Sequence, residues 1–225
     1  MFKRKILSKL EAWKQDERHK PLILRGARQV GKTTVVNEFG SQFDNYLYFN
    51  LEISESVRLF EMDIPLNDLV NMLFASLGKS QKEGSTLIFI DEIQNSPKTI
   101  ALLRYFYEQR PDLYVIAAGS LLENLVDVNV SFPVGRVMYL ALRPCSFYEF
   151  LGAIGKNNLL TILSQKAEYS IAFHEQLMHQ FNQYTIIGGM PEAVQHYAET
   201  QDIIAIEDVY ETLVQAYKDD SEKYA

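Results

Sequence analysis

This sequence predicts an α/β fold: a five-stranded parallel sheet flanked by helices, followed by a wholly helical part. Three observations carry that expectation. Short apolar runs alternate with stretches of helical period as far as about residue 143. Two of those runs, "STLIFIDE" at 85–92 and "LYVIAAGS" at 113–120, are apolar almost to their ends, as strands buried on both faces are. After Pro144 the apolar spacing becomes i, i+3, i+4 throughout, with no convincing strand.

Taken in order, residues 2–18 place Phe2, Ile6, Leu10 and Trp13 at helical spacing among charges and predict an amphipathic helix. Pro21 breaks it, and Leu22 to Leu24 forms a short buried strand. A glycine-rich turn and a helix to about Phe39 follow, then a strand over 45–52. "LNDLVNMLFASL", 66–77, is a helix closed by Gly78. After the 85–92 strand, Pro97 starts a helix to about Gln109. The strand 113–120 follows, and "VMYLAL", 137–142, completes the five. The 45–52 strand is expected at one sheet edge beside the Leu22–Leu24 strand, with 85–92 and 113–120 following. "SFYEFLGAI", "FHEQLMHQFNQYTII" and "IEDVYETLVQAYK" are helices of the second part, and "GGMPEAV" is a break and a new helix start. The organisation is therefore a core at 1–144 and a helical lid at 145–225 with a charged tail.

The bulk composition narrows the function classes. The chain has 225 residues, 47% hydrophobic and 23% charged, which suits one globular core with an accessory unit. A net charge of −7 counts against a nucleic-acid partner, although a local basic patch can hide in an average. One cysteine, Cys145, excludes an intrachain disulfide and a thiolate metal cage. Charges interrupt the basic N-terminus, so it lacks a signal-peptide core, and no run approaches the roughly 18 apolar residues of a membrane span. A cytoplasmic setting without a membrane partner is the expectation.

The chemistry starts at "LILRGARQVGKTT". Gly26, Ala27, Arg28, Gln29, Val30, Gly31, Lys32 and Thr33 fit G-x-x-x-x-G-K-[ST], with Thr34 next in the helix. The glycines let backbone N–H groups turn inward around phosphate oxygens. A helix beginning near Gly31 adds its positive end. Lys32 supplies a point charge between β- and γ-phosphates, and Thr33 a hydroxyl for Mg²⁺. The alternative is an ordinary glycine turn.

"LIFIDE" completes the site. Its apolar residues carry the chain through the sheet and deliver Asp91 at the strand's carboxyl end, where ligands bind in open α/β sheets. Asp91 is the expected Mg²⁺ partner. Glu92 is the expected base that polarises a water for attack on the γ-phosphate. A small-molecule kinase has no use for a base poised on water, and a guanine-reading Asn-Lys-x-Asp tetrad is absent. ATP and hydrolysis are therefore the expected chemistry.

In order, "GARQVGKTT", "LIFIDEIQ", the Gly119-Ser120 pair, "PVGRV", "PCSFYEF" and "GGMPEAV" resemble a bacterial and archaeal family of AAA+-type, STAND-like P-loop ATPases. The resemblance runs from Arg4 to about Val194. It implies an AAA+/ASCE-type P-loop NTPase core, the nucleotide part of a longer family pattern in which a C-terminal domain of unknown function often follows. This chain departs from the family in "RPCSFYEF", where a serine- or threonine-rich turn is usual, and in having Ser120 where a longer serine run is common. The family also implies roles for three residues. Ser120 would sense the γ-phosphate or its water, or else cap the next helix. Arg136, expected at the sheet end that holds nucleotide, would stabilise phosphate charge in cis or across a subunit interface, or else make a surface salt bridge. Pro191 would stack on adenine, or else merely start a helix. An oligomer and a macromolecular client are compatible with this reading. Its rivals are a nucleotide-gated switch with little turnover, an ATPase helper acting on nucleic acid and, less favoured, a small-molecule kinase.

Other signals are discounted. His174 and His179 flank Glu175 in a pattern one residue longer than the zinc-protease motif, so they fall on different helix faces. The 13 tyrosines and 13 phenylalanines sit at core spacing. Lys3, Arg4 and Lys5 are expected to form a solvated helix end.

Overall fold

The computed structural model describes residues 2–81, 83–120, 133–165 and 171–223. These form two compact units, Ile6–Leu142 and, separately, Arg143–Ala225 together with Met1–Lys5.

The larger unit is built on the parallel sheet. Its strands are β1 (Leu22–Arg25), β2 (Asn45–Asn50), β3 (Thr86–Asp91), β4 (Leu113–Gly119) and β5 (Met138–Ala141), in the order β2-β3-β4-β1-β5. The edge position of β2 agrees with its sequence, because its burial alternates along the strand. Its neighbour does not. β2 pairs with β3, and the phosphate-loop strand β1 lies between β4 and β5, in register Leu22↔Ile116 and Leu22↔Met138. Parallel strands are joined by crossovers, so adjacency in sequence does not dictate adjacency in the sheet. The complete burial of Leu22, Ile23 and Leu24 marks β1 as an interior strand.

Alternation of side chains divides the core into two layers. On one face Leu22, Leu24, Leu87, Phe89, Ile116 and Ala118 pack against α1 (Ile6–Lys14) and α2 (Lys32–Gly40). On the other, Ile23, Leu47, Ile88, Ile90 and Val115 pack against α4 (Leu66–Ser76) and α5 (Pro97–Gln109), with the short α3 (Ser54–Phe60) beside them. Helix α3 is an element that the sequence reading above does not predict. Helix α5 starts where Pro97 predicts, with Ser96 accepting from the Thr99 N–H as its cap. Gly78, at φ 61°, closes α4 as expected.

The N-terminal helix is shorter than its apolar spacing suggests. It begins at Ile6, and Phe2 instead packs in the cluster of Phe150, Ile187 and Tyr197 in the helical unit. That unit contains α6 (Phe147–Ala153), α7 (Asn157–Gln165), α8 (Ile171–Ile187), α9 (Pro191–Thr200) and α10 (Glu207–Lys223). The charged stretch from Lys218 thus continues a helix as far as Lys223; the last two residues lie outside the described ones.

Arg4 corrects the expected solvated basic end. It is 6% exposed, donates from Nε to Glu149 Oε1 at 3.0 Å and from Nη2 to the Arg143 carbonyl at 2.7 Å. Ser146 and Glu149 form a reciprocal capping box at the start of α6, and the Lys5 N–H also donates to Glu149 Oε1 at 2.8 Å. Burial alone would raise the Glu149 carboxyl. The Ser146 and Lys5 N–H groups and the Arg4 guanidinium outweigh it and hold the group below its ordinary value.

Candidate functional site: a nucleotide-binding loop and an acidic strand end

The loop between β1 and α2 is shaped by two glycines for different reasons. Gly31 caps α2 at φ 89°, ψ 27°, a left-handed conformation costly for residues with a Cβ. Gly26 has no such need. A Cβ there would lie 2.4 Å from the Leu142 carbonyl oxygen, so glycine lets the exit of β5 press against the loop. The Leu142 N–H donates to the Arg25 carbonyl at 2.7 Å and fixes that contact. Val30 is fully buried as the loop's anchor, while Ala27 and Gln29 are exposed and Arg28 is half-buried. Gln29 sits at φ 58°.

Gly31 has no side chain to cap α2, so N–H groups of its first turn are free of a side-chain cap and face the loop. Lys32 is the first helical residue, 6% exposed, and its Nζ donates to the Gly26 and Ala27 carbonyls at 2.9 Å each. Desolvation pulls its ammonium below the ordinary lysine value, against the opposing carboxylates of Glu92 and Asp91. Thr34, two positions on, is exposed.

Strand β3 brings the acids to the same sheet edge. The Thr33 hydroxyl donates to Asp91 Oδ2 at 2.6 Å, and the Glu92 N–H donates to Asp91 Oδ1 at 3.1 Å. Burial raises both the Asp91 and the Glu92 carboxyl above their ordinary values. The Thr33 bond opposes this for Asp91, and a Gln94 bond opposes it for Glu92. Glu52 raises both further as a third negative charge. Ser120, directly after β4, keeps a buried Oγ with no hydrogen-bond partner among the described residues.

The structure therefore gathers the loop, Lys32, Thr33, Asp91, Glu92 and Ser120 at the carboxyl edge of one sheet. It does not bring Arg136 there. In a parallel sheet the residue before β5 lies at the amino edge, opposite the loop that follows β1, so the expected placement at the nucleotide end is corrected. Arg136 instead donates from Nε to Glu108 Oε1 at 2.7 Å. Pro191 occupies the first turn of α9 in the helical unit. His174, Glu175 and His179 are exposed on α8.

Among the described residues no group of three or more His, Cys, Asp or Glu side chains is placed to hold a metal alone. One carboxylate and one hydroxyl, Asp91 and Thr33, already in contact, suit an ion that completes its shell with water and phosphate oxygens.

A family model described as AAA domain matches residues 18–151, which span both the loop and the acidic strand end. The chain belongs to the AAA domain family. The fold of this AAA domain is similar to that of the Walker-type ATPase PABY2304 of Pyrococcus abyssi, with a TM-score of 0.59 and 16% identity over all of this chain and 77% of that one. It is similar also to Drosophila ORC, solved bound to DNA, with a TM-score of 0.50 and 15% identity over 85% of this chain and 58% of that one. No curated protein matches the chain. The AAA domain is thus a P-loop ATPase core, and among the described residues no helix is long and apolar enough to cross a membrane.

The sequence left two partners of the site unread. Gln94 was visible in "DEIQ", but its return to Glu92 depends on a left-handed backbone at Glu92, φ 52°, which nothing in the residue type signals. Tyr48 comes within electrostatic reach of Asp91 only because β2 pairs with β3.

Proposed function

We propose that this AAA domain binds ATP with Mg²⁺ and hydrolyses it slowly, using the cycle to change the disposition of its two units. The observation that carries this reading is the Thr33–Asp91 contact at 2.6 Å beside Glu92, which unites the phosphate loop with a base at one sheet edge. Gly26 to Thr34 would enclose the phosphates, and Lys32 would exchange its carbonyl partners for phosphate oxygens. Thr33 and Asp91 would hold Mg²⁺, which when bound neutralises phosphate charge. Glu92, raised by burial, accepts a proton from water more readily than an exposed carboxylate. Ser120 offers its unpartnered hydroxyl to the γ-phosphate or that water.

Arg136 enters only in trans. Its position at the amino edge leaves no cis role, and a second copy would have to draw it from Glu108. Pro191 would contact adenine from the helical unit, which we regard as the lid at 145–225. The client is a macromolecule. DNA is one candidate because ORC, similar in fold, was solved on DNA, and the net charge of −7 argues against it.

Phosphate release from ATP tests the reading. Glu92→Gln is expected to lose about 10²–10⁴-fold in turnover, the scale of general-base assistance, and Lys32→Ala to lose nucleotide binding. Unchanged turnover in Glu92→Gln would remove the base. Tight binding with no release by the wild type would favour a nucleotide-gated switch. Adding DNA separates a nucleic-acid helper, whose rate would rise.

A further inference from the structure

The turn after β3 contains more order than a phosphate motif requires. Glu92 is left-handed at φ 52°, ψ 45°, a conformation that costs a non-glycine residue on the order of 1–2 kcal/mol. Of the non-glycine residues with positive φ, Gln29 and Glu92 both lie in the loops that face the phosphate site. The reversal at Glu92 folds the chain into a short 3₁₀ turn, Ile93–Asn95, and brings Gln94 back onto the preceding carboxylate.

Gln94 Nε2 donates to Glu92 Oε2 at 2.5 Å. An ionised carboxylate only accepts, so the amide nitrogen and not the oxygen must face it. The other end of the same amide, Oε1, is buried and has no partner among the described residues. A buried acceptor without a donor costs about 1–3 kcal/mol. Amide bond lengths place that oxygen about 2.2 Å from Nε2. It therefore lies within about 5 Å of Glu92 Oε2, a separation that one water bridges with two ordinary hydrogen bonds of about 2.8 Å. Ser120 Oγ, a further oxygen without a partner among the described residues, follows the neighbouring strand β4.

From this geometry we infer that Gln94 positions Glu92 and, through its buried Oε1, provides the second acceptor for the water that Glu92 activates. The inference rests on the ATPase reading above. In the step itself the water oxygen bonds to the γ-phosphorus while the bond from that phosphorus to the β,γ-bridging oxygen breaks. The leaving oxygen keeps the electron pair and departs as ADP. One water proton passes to Glu92 and the other stays on the new phosphate, hydrogen-bonded to Gln94 Oε1 until release. Two acceptors fix the water in line; one alone would leave it free to rotate.

The test uses the full chain, ATP with Mg²⁺, single-turnover phosphate release and binding of a fluorescent ATP analogue. Gln94→Met keeps the side chain's length and removes both amide ends. Gln94→Glu keeps an acceptor oxygen and replaces the donor by a charge that repels Glu92. Both are expected to lose about tenfold or more in kcat, within the range of general-base effects, and Gln94→Met to keep analogue affinity and melting temperature unchanged. In a Glu92→Gln background, Gln94→Met is expected to add less than about twofold, because the two act as one unit. Wild-type kcat in Gln94→Met overturns the inference. So does a loss that multiplies fully with that of Glu92→Gln, or one that tracks weakened binding or melting in Gln94→Met. Wild-type turnover that responds to Glu92→Gln but not to Gln94→Met overturns this inference alone. Absence of turnover in the wild type, or indifference to Glu92→Gln, overturns the ATPase reading and this inference with it.

Discussion

Glu149 in the helical unit and the Asp91–Glu92 pair in the sheet unit are all carboxylates drawn out of water, and they are treated oppositely. Glu149 receives two backbone N–H groups, the Ser146 hydroxyl and the Arg4 guanidinium, and its carboxyl is held below the ordinary value. Asp91 and Glu92 receive fewer donors, lie beside each other and beside Glu52, and are held above it. A saturated carboxylate fastens a structure. An undersaturated one stores demand for a cation, a proton or a donor, which is what a site for Mg²⁺ and a water-activating base requires. The difference separates an anchor from the centre proposed to react, although Glu149 and Glu92 both begin as a glutamate near a helical turn.

The largest effect should come from breaking the anchor. Arg4→Met leaves Glu149 buried without its cation, and loss of one partner from a buried pair costs about 3–5 kcal/mol. Hydrogen exchange is expected to locate that loss in α6 and its cluster with Phe150 and Tyr197, and not in the sheet. Protection lost equally from β3 and β4 would show that Arg4 is no local anchor.

A smaller effect of opposite sign is expected from the site. Asp91→Asn and Glu92→Gln remove charges that the fold desolvates, so each should raise the melting temperature without nucleotide, by about 2–4 °C for every kcal/mol relieved in a chain of this size. The pH dependences should also oppose each other. Because the folded Glu149 carboxyl is depressed, its stabilisation is complete above the unfolded value of about 4.3 and is lost as pH falls through the folded value. Because Asp91 and Glu92 are raised, the folded state binds more protons between their unfolded and folded values, and stability declines as pH rises through that window. Denaturation midpoints across pH 3–8 check both arms. Glu149→Gln should flatten the acid limb and Glu92→Gln the upper one.

The smallest effect is expected at Arg136, whose pair with Glu108 is exposed. Arg136→Ala should leave melting and dilute-solution turnover unchanged. A turnover loss that grows with protein concentration would instead place the residue in a neighbouring copy's site.

Much of this molecule was legible from residue order. The apolar strand runs, the glycine-rich turn, Pro97 as a helix start and the acids at the end of "LIFIDE" are local signals, governed by backbone sterics and side-chain period, and the structure keeps them nearly in place. Strand neighbours were not legible, because pairing is a contest among distant segments. That is why β1 sits between β4 and β5, why Tyr48 comes within electrostatic reach of Asp91, and why Arg136 falls at the far edge of the sheet. Arg4 looked like a solvated end until a glutamate 145 positions away claimed it. Gln94 returns to Glu92 only through the left-handed turn at Glu92, which its residue type does not signal. The sequence by itself determined that phosphate chemistry resides here. Only the tertiary structure decided which carboxylates are satisfied and which are left wanting a partner, because hydrogen-bond saturation depends on what the fold brings near.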